Sequence, residues 1–471
     1  MWFRQDLRLR DNPALTFAAQ HGVVLPIYIL DRSCPERFQP GGASKWWLHH
    51  SLQSLQKSLN KQLHCLAGDA KSILLELVKS SGVKRVVWNR CYEPWQIKRD
   101  TELKQILFSI GVEVHSFNGQ LLWEPWQVLK KDQTPYKVFT PYYRKGCLSK
   151  VPPRFPVPVP ESLKIKYLPE ADEGITSLDL LPDNSWYGKI ESLWSPGEQG
   201  AARNLSTFLP EQLGQYKAQR DFPHEQATSR LSAHLHFGEI SPNQIWYAAI
   251  DAKHGEIDEP GLDCYLSELG WREFSHYLLY HFPALPEKNF NPKFDKLVWR
   301  EDKHSLKAWQ KGQTGIPIID AGMRELWQTG TMQNRVRMLV GSFLVKNLLL
   351  DWRLGERWFW DCLVDADLAA NSASWQWVAG SGADAAPYFR IFNPVLQGQR
   401  FDSNGCYVRQ YCPELAKLPD KFIHNPWDAP PQVLESADIQ FGVSYPLPLV
   451  DLKASRLRAL DAFSEAKKMS D

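Results

Sequence analysis

Cysteine is scarce and scattered: 8 residues in 471, with no closely spaced pairs. That pattern disfavours a disulfide framework and a zinc site and suits reduced thiols. No apolar run approaches the roughly 20 residues a membrane helix needs. No basic-then-apolar leader opens the chain, so a cytoplasmic protein is expected. An excess of one charge is also missing. Lys and Arg number 55 against 53 Asp and Glu, a net +2. Any polyanion must therefore be met by a local patch, not by a global field. Internal repeats, low-complexity tails, a Walker loop and a serine nucleophile elbow are absent. The chain opens abruptly at Met1-Trp2-Phe3, so the first strand should be short, and a few residues are expected ahead of it.

What is abundant is tryptophan, 20 residues, in a chain whose 43% hydrophobic content is ordinary. The length suggests about three units at roughly 150 residues each. Residues 1–128 alternate strand-like runs (Val23–Leu30, Leu63–Leu66, Val83–Trp88, Val112–Phe117) with helical stretches (Ser44–Leu59, Ala70–Val78, Pro94–Ile110). Such alternation predicts an α/β, Rossmann-like parallel sheet covered by helices. Residues 129–200 hold Pro152, Pro153, Pro156, Pro158 and Pro160. That density excludes helix interiors and central strands, and marks an ordered interdomain connector. From 201 to 471 the periodicity is helical, as at Leu262–Leu279, Ile318–Gln328 and Arg335–Leu350. The fold expected is an α/β N-terminal domain, a Pro-rich linker and an all-α C-terminal domain.

Some motifs are decoys. Gly380–Ala385 has the letters of a dinucleotide fingerprint, but Pro387 forbids the helix it needs. His234 with His236, and His276 with His281, lack helical metal spacing and read as structural. Four other segments are too polar for a plain helical core. Arg220–Pro223 with Thr228–Ser232 places hydroxyls and amides near an arginine, a set that can cradle phosphate or simply cap a helix. Glu268 and Arg272 stand four apart and could merely pair. Asn334, Arg335 and Arg337 head an apolar helix and need partners. Asp365–Trp377 interleaves two acids, Asn371, Trp375 and Trp377 with small residues that admit a flat ligand. Asp367 and Asn371 could face one ligand edge, and Arg337 is the natural partner for one of the acids. Trp375 and Trp377 should point in different directions.

With its opening Trp2-Phe3-Arg4-Gln5-Asp6-Leu7-Arg8-Leu9, its Trp271–Phe274, Asn334–Met338 and Asp365–Trp377 blocks, and Tyr388–Pro394, the whole chain resembles the photolyase/cryptochrome flavoprotein family. The resemblance is to its bacterial cyclobutane pyrimidine dimer photolyases in particular. It implies an α/β antenna domain joined to a helical domain that binds FAD, and light-driven repair of ultraviolet-damaged DNA by a monomer. It implies that Tyr216, Thr228, Ser229, Arg230, Leu231, Ser232, Tyr265, Arg272, Asp365, Ala366, Asp367 and Asn371 hold FAD, with Arg337 paired to Asp365. Asn371 would lie near the reactive edge of the flavin. Glu268, Trp271, Asn334, Arg335, Met338 and Trp377, with Arg220 and Arg390, would meet the lesion and the DNA backbone. Trp375, Trp352 and Trp299 match the family's electron-passing tryptophans. Eversion of a base for chemistry is the general strategy of such enzymes, with photolyases among its standard examples.

Within the family, six-four photolyases and animal cryptochromes carry histidines in the helix that matches Asn334–Met338; this chain has Asn334 and Met338, and Gln333 where many relatives carry histidine, which favours the cyclobutane substrate. Asn371-Ser372-Ala373-Ser374 departs from the commoner Asn-Asn-Gly-Gly and leans toward plant cryptochromes, which keeps a blue-light photoreceptor as the alternative. The expected absence of a long tail after the last helix speaks against signalling. In Asn89–Gln96, Trp95-Gln96 replaces the Asn-Glu pair that contacts folate in some relatives. The antenna expected is a reduced folate (methenyltetrahydrofolate) stacked on an aromatic such as Trp95, in preference to a deazaflavin or an empty site.

Overall fold

The structure, a computed structural model, describes residues 1–182, 186–385 and 389–469. Pro387 and Tyr388, used above, lie outside the described residues. Strands β1 (Trp2–Phe3), β2 (Ile27–Asp31) and β3 (His64–Gly68) form one parallel ladder, and β4 (Arg85–Asn89) and β5 (Glu113–Phe117) another. Helices α1 (Pro13–Gln20), α2 (Gly42–Ser58), α3 (Ala70–Ser81) and α4 (Pro94–Ser109) connect them. The expected α/β alternation is thus present, and every strand in it is short. The apolar run at Val23 becomes a strand only from Ile27, after Pro26.

Local chemistry sets these boundaries. Asn12 accepts from Leu15 N to start α1, and Asp69 accepts from Ser72 N to start α3. Gly82 ends α3 at φ 68°, a left-handed position that favours glycine. Alternation along the strands sorts the core into two faces. Trp2, Ile27, Ile29, Val86 and Trp88 pack with Leu74 and Leu103, while Phe3, Tyr28 and Val87 pack with Trp47 and Leu52. The Trp2 indole meets Trp88 edge-on, which brings β4 close to β1. Crevices at the carboxyl ends of such strands are where open α/β sheets bind ligands.

The opening motif is a structural clamp. Arg8 is fully buried and donates to the carbonyls of Asp11, Gly119 and Gly238. Arg4 pairs with Asp100 at 2.5 Å, and both Arg4 and Arg99 lie over the Trp2 ring. The Pro-rich stretch is ordered by contacts with the same unit: Val157 N donates to Asp11, Arg154 pairs with Asp11, and Asn243 donates to the Arg154 carbonyl.

Two compact units emerge from the packing. The first comprises Met1–Gly214, Ser229–Pro283 and Val364–Ala369; the second comprises Gln215–Thr228, Ala284–Leu363 and Ala370–Asp471. They cut the chain differently from the composition-based segments 1–128, 129–200 and 201–471. The long helix Pro260–His281 packs with the first unit because Glu273 reaches the Leu122 and Trp123 amides and Tyr277 the Tyr136 amide.

In the second unit the helix expected over Arg335–Leu350 is interrupted. It is α-helical over Asn334–Ser342 and widens to a π turn over Phe343–Asn347. Lys346 is buried in that turn, donates to the Arg390 carbonyl and lies 4.8 Å over the Phe389 ring. Burial pushes its amine down to about 7, with the nearby Arg390 adding to the effect. Among the described residues no helix is long and apolar enough to cross a membrane.

Candidate active site

In the first unit the loop entering the helix Ser232–His236 turns at Arg230, whose φ is 52°. Its guanidinium stacks 4.3 Å over Trp194 and donates to the Leu193 carbonyl, while its own carbonyl accepts from Asn204. Leu231 is buried beneath the loop, and Thr228 and Ser232 stay exposed. Ser229 meets the buried Tyr265 hydroxyl, and burial pushes that phenol up. Leu231 takes the N-cap position of this helix, with no side-chain cap among the described residues.

The helix Pro260–His281 carries Glu268, Trp271 and Arg272. Trp271 has one face stacked on Phe139 at 3.8 Å, which fixes its plane. Arg272 donates to the Gln120 carbonyl at 2.9 Å and meets Glu273 at 3.3 Å. Burial raises Glu273 to about 7, against the pull of Arg272, His276 and two backbone amides.

The histidines read as structural have a sharper role in part. His236 Nδ1 lies 3.5 Å and His276 Nε2 3.4 Å from the same Asp367 carboxylate oxygen. His276 Nδ1 faces the Arg272 carbonyl at 3.1 Å, so both its ring nitrogens look at acceptors. Burial works to raise Asp367, but the two histidines win and hold it well below the usual carboxylate range. Glu93 goes the other way: burial and the Asp367 charge push it up, although the Trp95 indole donates to it at 2.6 Å. Forty residues separate the two histidines, and no local spacing signals their meeting. His234 remains structural, bridging to Glu239, which also takes the Trp47 N–H.

At the carboxyl end of β4, Trp95 is held on one side by Arg99, 5.0 Å over its ring. Gln96 is buried, and its Oε1 has no partner among the described residues.

In the second unit, Tyr216 is buried under the Arg220 guanidinium at 5.2 Å. Gln333 caps the helix Asn334–Ser342 and donates to the Arg220 carbonyl. Arg335 pairs with Asp221 at 2.6 Å, and Arg337 Nε donates to the Met332 carbonyl at 2.7 Å. The arginines at this helix head thus find partners, while Asn334 is exposed and Met338 half-buried.

The helix Leu368–Ala379 presents Asn371, buried, with its amide N–H given to the Glu356 carbonyl at 3.0 Å. That fixes the side chain and leaves an oxygen and a second N–H for other use. Trp375 is buried against Phe359 at 4.9 Å and Trp309 at 6.2 Å. Trp377 is part-exposed and donates to the Asp384 carbonyl, so the two indoles do diverge. Gln376 was not singled out from sequence. It is fully buried, donates to the Leu285 and Lys288 carbonyls and accepts from Phe290 N, anchoring the helix. Trp352 is buried with its N–H on Asn289 at 3.0 Å, and Trp299 packs half-buried against the small core that contains Phe294 and Phe389. Arg390 is exposed. Asp365 is half-buried and Ala366 buried, both in the first unit.

The profile of the FAD binding domain of DNA photolyase matches residues 265–465, and the DNA photolyase profile matches residues 1–161. The chain is 49% identical to the deoxyribodipyrimidine photo-lyase of Agrobacterium fabrum, over 99% of this chain and 98% of that protein. It belongs to the photolyase/cryptochrome family. A class III photolyase crystal structure from Agrobacterium tumefaciens superposes with a TM-score of 0.95 at 49% identity, covering 99% of this chain and 97% of that one. Cryptochrome-1 of Arabidopsis thaliana is 36% identical, over 99% of this chain and 70% of that protein. The photolyase fold accounts for both halves: a parallel-sheet N-terminal domain and a helical FAD-binding C-terminal domain.

Proposed function

We propose that this photolyase-family chain is a light-driven DNA repair enzyme that splits cyclobutane pyrimidine dimers. Its full-length likeness to a deoxyribodipyrimidine photo-lyase is the observation that carries the reading. The residues present fit FAD. Exposed Thr228 and Ser232 beside a left-handed Arg230 offer hydroxyls and amides to a pyrophosphate, and the carboxylate of Asp367 is kept ionised to accept from N–H groups. Ser229, Leu231, Tyr265, Arg272, Asp365 and Ala366, with Tyr216 and Arg337, complete the set assigned to it. Bound there, reduced FAD supplies the photoexcited electron that opens the cyclobutane ring and takes it back afterwards.

The protein's own groups supply geometry and charge. Asn371, fixed by Glu356, offers its free amide atoms to the cofactor. Trp271, its plane set by Phe139, and Trp377, tethered by Asp384, offer flat faces to an everted lesion. Glu268 hydrogen-bonds a base carbonyl edge, and Asn334 and Met338 border the same lesion. Arg220, Arg335 and Arg390 neutralise phosphates. Trp299, Trp352 and Trp375 pass electrons inward from the surface. For the antenna, buried Gln96 Oε1 has no donor among the described residues and Glu93 is a half-buried acid beside Trp95, which suits the N–H-rich edge of a reduced folate.

Blue-light repair assays on separate cyclobutane and six-four substrates test the reading. Cyclobutane dimers should be restored and six-four products left intact, and Glu268→Ala should slow repair by roughly tenfold or more. Flavin binding without repair of either lesion would instead favour a photoreceptor.

A further inference from the structure

Asp221 is an acid set among arginines in the second unit. Its carboxylate holds Arg335 Nη2 at 2.6 Å, and the two side chains keep 33% and 21% of their exposure. Arg335 lies 4.6 Å over the Phe401 ring, on which Arg400 also stacks at 5.0 Å. Arg220 precedes Asp221, and its carbonyl is tied to Gln333, the residue capping the helix that bears Arg335. Phe222 completes the patch against Phe401. The neighbouring acid Asp402 is buried and spent on the Tyr407 and Val408 amides, so it does not offset these cations at the surface.

The pair is poised for exchange. A part-exposed ion pair of this kind contributes little to stability and is screened by salt. Arg335 Nε is buried with no partner among the described residues, so the guanidinium is not saturated by Asp221. An arginine fork prefers a bidentate oxyanion, which phosphate supplies as well as carboxylate does.

We propose that Asp221 is an internal phosphate surrogate: it occupies Arg335 in the free protein, must be displaced by the DNA backbone, and thereby tunes discrimination against undamaged DNA. The proposal rests on the reading of Arg335 as a DNA-facing residue. Undamaged duplex, which brings no lesion contacts, cannot easily win Arg335 from the carboxylate. A duplex anchored by an everted lesion can.

Equilibrium binding of the FAD-loaded full chain tests it, using undamaged duplex and the same duplex with one cyclobutane dimer, across a salt series. Asp221→Asn should bind undamaged duplex several-fold more tightly. Its log–log salt slope should steepen by about 0.9, one further counterion released. The ratio of damaged to undamaged affinity should fall. Arg335→Gln should flatten the slope of the dimer-containing duplex by about the same amount, and the double variant should lose the gain of Asp221→Asn. Asp221→Ser serves if the Asn variant fails to fold. Unchanged or weaker binding by the Asp221 variants, with Arg335→Gln still flattening the slope, overturns the surrogate role alone. An unchanged slope of Arg335→Gln on the dimer-containing duplex overturns both it and the DNA-facing assignment.

Discussion

Trp375 owes its position to neighbours that leave it no slack. Phe359 and Trp309 meet its edges, and a Cβ on Gly355 would run into the ring. Gly355→Ala should therefore cost about 1–3 kcal/mol of overpacking, read as a lower melting temperature. Trp375→Phe keeps the packing and removes the readily oxidised indole. It should slow photoreduction of oxidised flavin by roughly tenfold or more while sparing repair by chemically prereduced enzyme. Absorbance under blue light reads the first effect and a dimer-splitting assay the second. Photoreduction at the wild-type rate would place the electron path elsewhere. Glu268, Trp271 and Asn371 were visible as polar or aromatic residues out of place in a helical core. His236, His276 and Gln376 were not, because their partners lie far away in sequence.

Elements show where pattern reading holds and where it stops. The alternation of apolar runs located β2 to β5 and α2 to α4 within a few residues, since caps such as Asp69 and breakers such as Pro26 are local chemistry. The stretch after Asn334 read as one long helix, because nothing in its composition breaks it. The π turn at Phe343–Asn347 instead buries Lys346, a cost no periodicity reveals. That lysine gives a sign for pH dependence. Its amine titrates near 7 when folded and near 10.5 when unfolded, so between those values the unfolded chain binds more protons. Stability should rise with pH across that window, and Lys346→Met should abolish the rise. Denaturant melts at about pH 7 and about pH 10 measure it; equal slopes in both proteins would remove the lysine from the account.

At the scale of the whole molecule, charge is nearly balanced at +2, so long-range attraction cannot carry DNA binding. Three arginines, Arg220, Arg335 and Arg390, would each meet one phosphate. Affinity for dimer-containing duplex, which wins Arg335 from Asp221, should then fall with salt at a log–log slope of about −2.7. A slope near zero would show that backbone contacts are not the source of binding. The lesion-specific part, carried by Trp271, Trp377 and Glu268, should be far less sensitive to salt.

The sequence by itself determined the element types of the N-terminal half, the helical character of the rest and the family. These follow from short-range periodicity and from motifs whose order along the chain is preserved. Only the tertiary structure decided that residues 229–283 pack with the first unit, that Asp367 sits between His236 and His276, and that Arg335 is held by Asp221. Burial and charge pairing act through space, and a chain read one residue at a time carries no measure of that distance.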